Sequence, residues 1–403
     1  MVRGTVLGLI AALAVSVAAP GPTQTARAKD TIRIGELNSY NRMSVFTVPY
    51  RNGWQLALDE VNAAGGVLGR KLEIVSRDDG GTTGDAVRVA DELVSREGVV
   101  MIFGTYLSNV GLAVADLANQ RRVVFFAAEP LTDALTMDKG NRYTFRMRPN
   151  TYMQTAMLVQ AAKELGPKKW AIVAPNYEYG HAAAEAFRTL IVEAVPGSEI
   201  VVEQYPALGK VDAGATIGAL EQANPDALFN VLFAGDLTEF VREGQTRGFF
   251  EGKTTLSLLT GEPEYLIPLR DEAPEGWIVT GYPWDQIDTP EHKAFVDAYQ
   301  AAFGESPRLG SLLGYVMVKV IAQAMDRAGS TETDAMIEAL EGGTFDTPIG
   351  PISIRASDHQ ASFGAWVGRI VVEDGSGRMT DWQYLPGDDF MHTEDEVRAA
   401  RGG

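Results

Sequence analysis

Apolar residues follow two spacings that alternate along the first 130 residues of the chain. Continuous apolar runs at residues 99–103 and 123–127 are typical of strands covered on both faces. Between these runs, residues 110–117 carry apolar side chains at helical spacing. The same reasoning predicts earlier strands at residues 32–35 and 72–76 and earlier helices at residues 54–61 and 86–94. This βαβαβα order with short connections predicts a parallel sheet with helices on both faces.

The alternation restarts near residue 170 and predicts a second sheet of the same kind. Four strands are predicted at residues 170–174, 199–204, 227–233 and 254–259, and three helices lie between them at residues 181–194, 212–223 and 236–247. Later elements are a strand at 278–281, helices at 290–303 and 309–328, and antiparallel hairpins over 347–385. A further helix is predicted to start at Thr331, with Asp334 as its capping partner. Residues 143–149 lie between the two series and are the predicted first crossing between lobes.

Composition narrows the functional classes. The 403 residues exceed the roughly 250 to 300 that a single core supports, so two lobes are expected. With 35 basic and 53 acidic side chains, the formal charge is −18, which disfavours binding to nucleic acid. The chain has no cysteine, and this excludes disulfides, thiolate catalysis and cysteine-bound metal clusters.

Residues 1–28 have the layout of a secretory signal peptide. Arg3 supplies the positive region, residues 6–19 form an apolar run, and residues 26–28 give an A-x-A cleavage pattern. The alternative is an N-terminal membrane anchor, but the run is shorter than the roughly 20 residues that span a bilayer. No cysteine follows the run to carry a lipid. The predicted location is therefore the periplasm.

Several short motifs occur along the chain in an order that identifies a family. The longest is Ala-Leu-Asp-Glu-Val-Asn-Ala-Ala-Gly-Gly-Val-Leu-Gly-Arg-Lys at residues 57–71. Others are Arg-Asp-Asp at 77–79, Phe-Gly-Thr at 103–105, Asn-Pro-Asp-Ala at 224–227 and Phe-Asp-Thr-Pro-Ile-Gly-Pro at 345–351. With these motifs, the chain resembles the substrate-binding proteins of branched-chain amino acid (Leu/Ile/Val-binding) ABC transporters.

The resemblance implies an α/β fold of the type I periplasmic-binding class, with two doubly wound parallel-sheet lobes joined by a three-strand hinge. We expect the first lobe to comprise residues 29–146 and 280–345, and the second to comprise residues 147–279 and 346–403. Open parallel sheets bind ligands beyond the carboxyl ends of their strands, so two facing sheets create one cleft. Hinge closure around the ligand then hides it from water.

The resemblance places the ligand's carboxylate at the start of the helix after the third strand. Thr105, Tyr106 and Ser108 are the candidates there. Ser108 is expected to cap this helix and to leave its N–H groups and positive dipole end for an anion. The alternative is a helix cap that has no contact with a ligand.

Acidic residues follow two other predicted strands. In the family, the loop at Ala127, Ala128 and Glu129 contacts the ligand, but Glu129 departs from the small and hydroxyl residues usual there. It either faces the cleft, which favours a cationic or donor-rich ligand, or is a solvated loop carboxylate. Glu262 is the candidate partner of a ligand ammonium, with Glu264 as the alternative.

Three aromatic residues complete the predicted site. Tyr179 stands where the family often packs a ring on the ligand, Phe46 is placed in the loop before the first helix, and Tyr282 follows the returning strand near a hinge. Each of them either contacts the ligand or covers core. The first loop, with Arg42, departs from the family pattern, so the solute stays open among amino acids, amides and aromatic acids.

No catalytic or metal-binding pattern is evident in the sequence. The four histidines are His181, His292, His359 and His392. They are well separated, and none has a second histidine four residues away, as a helical zinc site requires. We predict a receptor without cofactor or enzymatic activity, which binds a small amino acid or related carboxylate, amide or aromatic acid. Its partners are that ligand and the permease subunits of an ABC importer. The alternative is a periplasmic sensor that signals through a partner protein.

Overall fold

The computed structural model describes residues 1, 2, 4, 31–166 and 168–402. The predicted signal peptide therefore lies almost wholly outside the described residues. The first lobe is built on strands β1 (Thr31–Asn38), β2 (Lys71–Asp78), β3 (Met101–Gly104), β4 (Val124–Ala127) and β5 (Thr144–Arg146). They form one sheet in the order β2-β1-β3-β4-β5, and all neighbouring pairs are parallel.

Helices cover both faces of this first sheet. They are α1 (Ser44–Ala63), α2 (Thr83–Ser95) and α3 (Ser108–Arg121). Ile32 and Ile34 of β1 share a buried cluster with α1, whereas Leu37 belongs to a second cluster with α2 and α3. Strands β3 and β4 are buried along their whole length, as their continuous apolar runs predict.

The second lobe contains a larger sheet. The remaining strands are β6 (Lys169–Val173), β7 (Glu199–Gln204), β8 (Ala227–Asn230), β9 (Thr254–Gly261), β10 (Ile278–Gly281), β11 (Thr344–Phe345), β12 (Ile352–Ser353), β13 (Ala365–Glu373) and β14 (Ser376–Leu385). Seven of them pair in the order β14-β13-β10-β9-β8-β6-β7, while β11 and β12 pair only with each other. Strands β6 to β10 run parallel, and the β13–β14 hairpin is added antiparallel. The predicted α/β fold is confirmed.

The other helices complete both lobes. They are α4 (Thr151–Leu165), α5 (Glu178–Ala194), α6 (Ala213–Gln222), α7 (Ala234–Thr246), α8 (Pro263–Leu269), α9 (Pro290–Phe303), α10 (Leu309–Ala328), α11 (Thr333–Leu340) and α12 (Glu394–Arg401). Helix α10 is long and apolar enough to cross a membrane, but 78% of its apolar stretch is buried inside the protein. It returns to the first lobe and packs along α1. Glycines permit this close contact, because a Cβ at Gly314 would lie 2.0 Å from the Tyr50 carbonyl oxygen.

Two of the three segments that connect the lobes run side by side. The first follows β5, and the third leads from β12 to β13. Arg146 and Gln360 pair as a parallel bridge, and the Arg146 Nε donates to Gln360 Oε1 at 2.6 Å. Gln360 Nε2 in turn donates to the Arg148 carbonyl oxygen at 3.0 Å. The second connection follows β10 and leads to α9.

Some elements differ from the sequence predictions. Helix α11 begins at Thr333 after Glu332, without a side-chain cap, so the predicted start at Thr331 with Asp334 as capping partner is wrong. The Glu332 N–H instead donates to the Ser330 hydroxyl, in the turn that follows α10. Helices α4, α8 and α12 are additional to the predicted elements. Their positions between strands or at the end of the chain leave the predicted sheet order unchanged.

Candidate functional site

A cavity lies between the two lobes, where the carboxyl ends of both parallel sheets meet. The residues that line it lie at or beyond the carboxyl ends of strands of both sheets or belong to the first crossing. They are Tyr106, Ser108, Glu129, Leu131, Arg148, Tyr177, Tyr179, Phe233 and Leu259. This is the position at which open parallel sheets place their ligands. Four of the predicted site residues, Tyr106, Ser108, Glu129 and Tyr179, are among them.

The start of α3 forms one wall of the cavity. Leu107 is the residue that precedes the helix and it makes no side-chain cap, so the prediction that Ser108 caps α3 is wrong. Ser108 is instead the first helical residue, and its Oγ accepts hydrogen bonds from the Leu131 and Thr132 N–H groups, both at 3.3 Å. This contact fixes the loop after β4 against the helix start. The first N–H groups of any helix lack a helical acceptor, which suits this wall to an anionic group.

Thr105 connects β3 to this wall in a strained conformation. Its φ is +64°, in the left-handed region that threonine rarely adopts. The side chain is fully buried, and its Oγ1 has no hydrogen-bond partner among the described residues. Buried hydroxyl groups are normally satisfied, so this donor is an exception, although Thr105 is not one of the residues that line the cavity.

Aromatic rings form most of the remaining wall. Phe46 and Tyr106 stack with ring centroids 5.1 Å apart, and Tyr106 lies 6.4 Å from Phe233. Phe233 also meets the edge of Tyr179 at 5.8 Å. Phe46 was predicted to lie in a loop before the first helix, but it belongs to the first turn of α1. It supports Tyr106 from behind and is not one of the lining residues.

Arg148 lies between two buried carboxylates, of which Glu129 lines the cavity and Glu262 is not one of the lining residues. Its Nη1 donates to Glu129 Oε2 at 2.8 Å, and its Nη2 donates to Glu262 Oε1. All three side chains are between 3% and 6% exposed. Glu129 therefore faces the cleft, and the alternative of a solvated loop carboxylate is wrong.

Burial dominates the electrostatics of these groups. It raises the pKa of Glu129, although the nearby Arg148 opposes the shift. It raises the pKa of Glu262 to about 8, again against the attraction of Arg148. Burial disfavours the charge of Arg148 itself, but Glu262 and Glu129 outweigh this and raise its pKa, so it stays a cation.

Glu264, the alternative to Glu262, is bound to the start of α10. It accepts hydrogen bonds from the N–H groups of Leu309 at 3.4 Å and Gly310 at 3.0 Å. A carboxylate at a helix start is stabilised by these donors and by the helix dipole. The contact links α8 of the second lobe to a helix that packs on the first.

Other predicted residues lie outside the cavity. Tyr282 donates or accepts a hydrogen bond with His292 Nε2 at 2.7 Å and packs against Trp366, so it covers core and does not join the lining. Ala127 and Ala128 are fully buried at the end of β4, where the Ala128 N–H donates to the Gly104 carbonyl oxygen. They support the loop that carries Glu129.

Sequence reasoning missed five lining residues, Leu131, Arg148, Tyr177, Phe233 and Leu259. Arg148 lies in the segment that was predicted as the first crossing, a position that brings it between the lobes. Its pairing with two acids from distant strands has no signal in the linear sequence. Within the described residues, no group of three or more histidine, aspartate or glutamate side chains could hold a metal ion.

The fold and this interlobe cavity define a class of two-lobed binding proteins, and comparison with known proteins identifies the family. The sequence profile of the periplasmic binding proteins matches residues 41–376. The chain belongs to this family.

Individual relatives are similar over most of the chain. A Leu/Ile/Val-binding protein homolog 7 from Brucella abortus (strain 2308) is 28% identical over 347 residues, which cover 81% of this chain and 85% of that protein. An ABC transporter substrate-binding protein from Sphaerobacter thermophilus superposes with a TM-score of 0.79 at 27% identity, covering 90% of this chain and 100% of the other. A solute-binding protein of an ABC transporter from Rhodopseudomonas palustris BisB5, solved with 3,4-dihydroxybenzoic acid, gives a TM-score of 0.80 at 23% identity, covering 89% and 98%. The type I periplasmic-binding fold is thus confirmed.

Proposed function

We propose that this protein is the solute-binding component of an ABC importer and that it captures a small amino acid or a related carboxylate, amide or aromatic acid. The observation that carries the proposal is the cavity between the carboxyl edges of the two sheets, which both lobes line. The relatives support it, because those compared are Leu/Ile/Val-binding homologues and ABC transporter binding proteins. No relative among them supports the sensor alternative.

The ligand's carboxylate is placed at the start of α3 in this proposal. The N–H groups of the first helical turn and the helix dipole attract an anion there, close to Thr105, Tyr106 and Ser108. The apolar part of the ligand lies among the rings of Tyr106, Tyr179 and Phe233. Aromatic side chains bury large areas at low cost in side-chain entropy, which suits a small ligand.

Ligand capture is coupled to closure of the lobes. Thr132 in the first lobe donates to Glu178 Oε1 at the start of α5 in the second lobe, at 2.6 Å. We infer that this contact forms on closure, since it joins the two lobes directly. A ligand stabilises the closed form by its higher affinity for that form, and the closed protein then docks on the permease subunits.

The family places the protein outside the cytoplasm. We propose that residues 1–28 act as a cleaved signal peptide and that the periplasm is the compartment. N-terminal sequencing of secreted protein tests this, because a chain that still begins at Met1 would contradict it. The relatives are binding proteins, and we propose that the chain releases its ligand unchanged.

The decisive experiment is calorimetric titration of the purified protein with a panel of amino acids, amides and aromatic acids, together with thermal unfolding. A bound solute is expected to raise the unfolding temperature by mass action. Mass spectrometry of the recovered solute tests for turnover. If no solute of the panel changes either signal, the proposed function is wrong.

A further inference from the structure

Arg148 occupies the place between the lobes that a ligand cation would otherwise take. Its two partners come from different sheets, since Glu129 follows β4 and Glu262 follows β9. Arg148 itself belongs to the crossing between β5 and α4. The protein therefore supplies its own cation to a pair of acids that converge on Arg148 from both lobes.

The three acids that the sequence offered as ligand partners, Glu129, Glu262 and Glu264, each have a partner in the protein. Glu129 and Glu262 bind Arg148, and Glu264 binds the N–H groups that begin α10. A ligand ammonium could reach Glu129 or Glu262 only by displacing the guanidinium. That exchange would leave a buried positive charge with one partner fewer, which is strongly unfavourable.

Groups that suit an anionic ligand are still available in the same cavity. The start of α3 lines it at Ser108. The buried Oγ1 of Thr105, which precedes this helix but is not a lining residue, has no hydrogen-bond partner among the described residues. Arg148 also lines the cavity and keeps a positive charge there. Among the described residues that line it, the cavity thus offers donors to a carboxylate, while its one acid, Glu129, is bound to Arg148.

We propose that Arg148 is the specificity-determining residue of the cleft and that it makes the cleft select carboxylic acids that carry no ammonium group. This inference rests on the proposed function and narrows its ligand class. It replaces the expectation that Glu262 recognises a ligand amine.

Two matched ligand pairs test the inference by calorimetry at pH 7. They are 3-phenylpropanoate with phenylalanine and 4-methylpentanoate with leucine, and within each pair only the ammonium group differs. The wild-type protein is expected to bind the amine-free acid at least tenfold more tightly. In Arg148→Met, which keeps an unbranched side chain without the charge, both carboxylates are free, and the preference is expected to shift toward the amino acid by at least tenfold.

The matched control is Arg242→Met, which removes an exposed arginine that pairs with Glu272 far from the cavity. It is expected to keep the wild-type preference. Should Arg148→Met fail to fold, Arg148→Gln retains hydrogen-bonding groups between the acids, and the same shift is expected. An unchanged preference in the folded variant would overturn the inference.

The wild-type titrations separate failure of this inference from failure of the proposed function. If the wild type binds leucine, phenylalanine or any other amine-bearing solute of the panel more tightly than the matching acid, the inference is wrong and the proposed function stands. If the wild type binds no member of either pair and no other solute of the panel, both are wrong.

Discussion

The contact between α1 and α10 yields a sharp prediction for Gly314→Ala. A Cβ at this position would lie 2.0 Å from the Tyr50 carbonyl oxygen and 2.9 Å from the Trp54 nitrogen. Ordinary contacts of a Cβ begin at about 3.4 Å, so the two helices must separate by roughly 1 Å or more. The obstacle is backbone, which cannot rotate away as a flexible side chain would.

Two opposing effects set the size of the change. Alanine gains about 1 kcal/mol of helix propensity over glycine, while overpacking of a well-packed core costs about 1 to 3 kcal/mol and occasionally more. Because the clash is between main chains, we expect the overpacking term to dominate. The free energy of unfolding should fall by about 2 kcal/mol. Urea denaturation with linear extrapolation measures it.

Gly218→Ala in α6 is the matched control. No heavy atom lies within 4 Å of a Cβ built at Gly218, so this variant gains helix propensity without a clash. Its free energy of unfolding should rise by up to about 1 kcal/mol. If Gly314→Ala proves as stable as the wild type, or behaves like Gly218→Ala, the reasoning about the helix contact is refuted.

Three further variants test other parts of the structure. Glu36 is fully buried, and burial raises its pKa to about 8 from an ordinary 4.5, so the native state keeps the proton longer than the unfolded chain. Glu36 should therefore lower the stability between pH 4.5 and 8 by at most about 1.4 kcal/mol per pH unit, and Glu262, whose pKa is also raised to about 8, should add a slope of its own. In urea titrations at several pH values, Glu36→Gln should remove the contribution of Glu36 and leave that of Glu262. Thr132→Val removes the interlobe hydrogen bond to Glu178. A loss of about 1 kcal/mol in the free energy of closure should weaken the binding of every ligand alike by roughly fivefold in calorimetry. Unchanged affinities would mean that the bond does not favour closure. Asn150 caps α4 by accepting a hydrogen bond from the Met153 N–H at 2.8 Å. Asn150→Ala should therefore lower the free energy of unfolding by about 1 kcal/mol. A loss below about 0.3 kcal/mol, on the order of measurement error, would contradict the cap.

The sequence predicted the sheets well because their strands are buried on both faces. Continuous apolar runs such as residues 99–103 and 123–127 are typical of such strands, and β3 and β4 overlap them. Helix α4 was not recognised, although Asn150 provides its cap. It faces several partners at once, and its buried positions do not form a single apolar stripe in the sequence.

The site was predictable only where it depends on strand ends. Tyr106, Ser108, Glu129 and Tyr179 follow strands, and the family resemblance singled them out in agreement with the rule that ligands bind beyond carboxyl ends. The partner of a charged residue is a matter of three-dimensional packing. Glu129 and Arg148 are 19 residues apart, and Arg148 and Glu262 are 114 residues apart, so no local pattern links them.

The pairing of Arg146 with Gln360 has a mechanical consequence for the hinge. The guanidinium of Arg146 also donates to Thr136 Oγ1 at 2.5 Å, so the double strand formed by the first and third connections is anchored in one lobe. Two hydrogen-bonded segments resist twisting better than either segment would alone. We therefore expect the lobes to rotate about a single hinge axis. Such a motion would bring the two halves of the cavity back into the same alignment each time the lobes close.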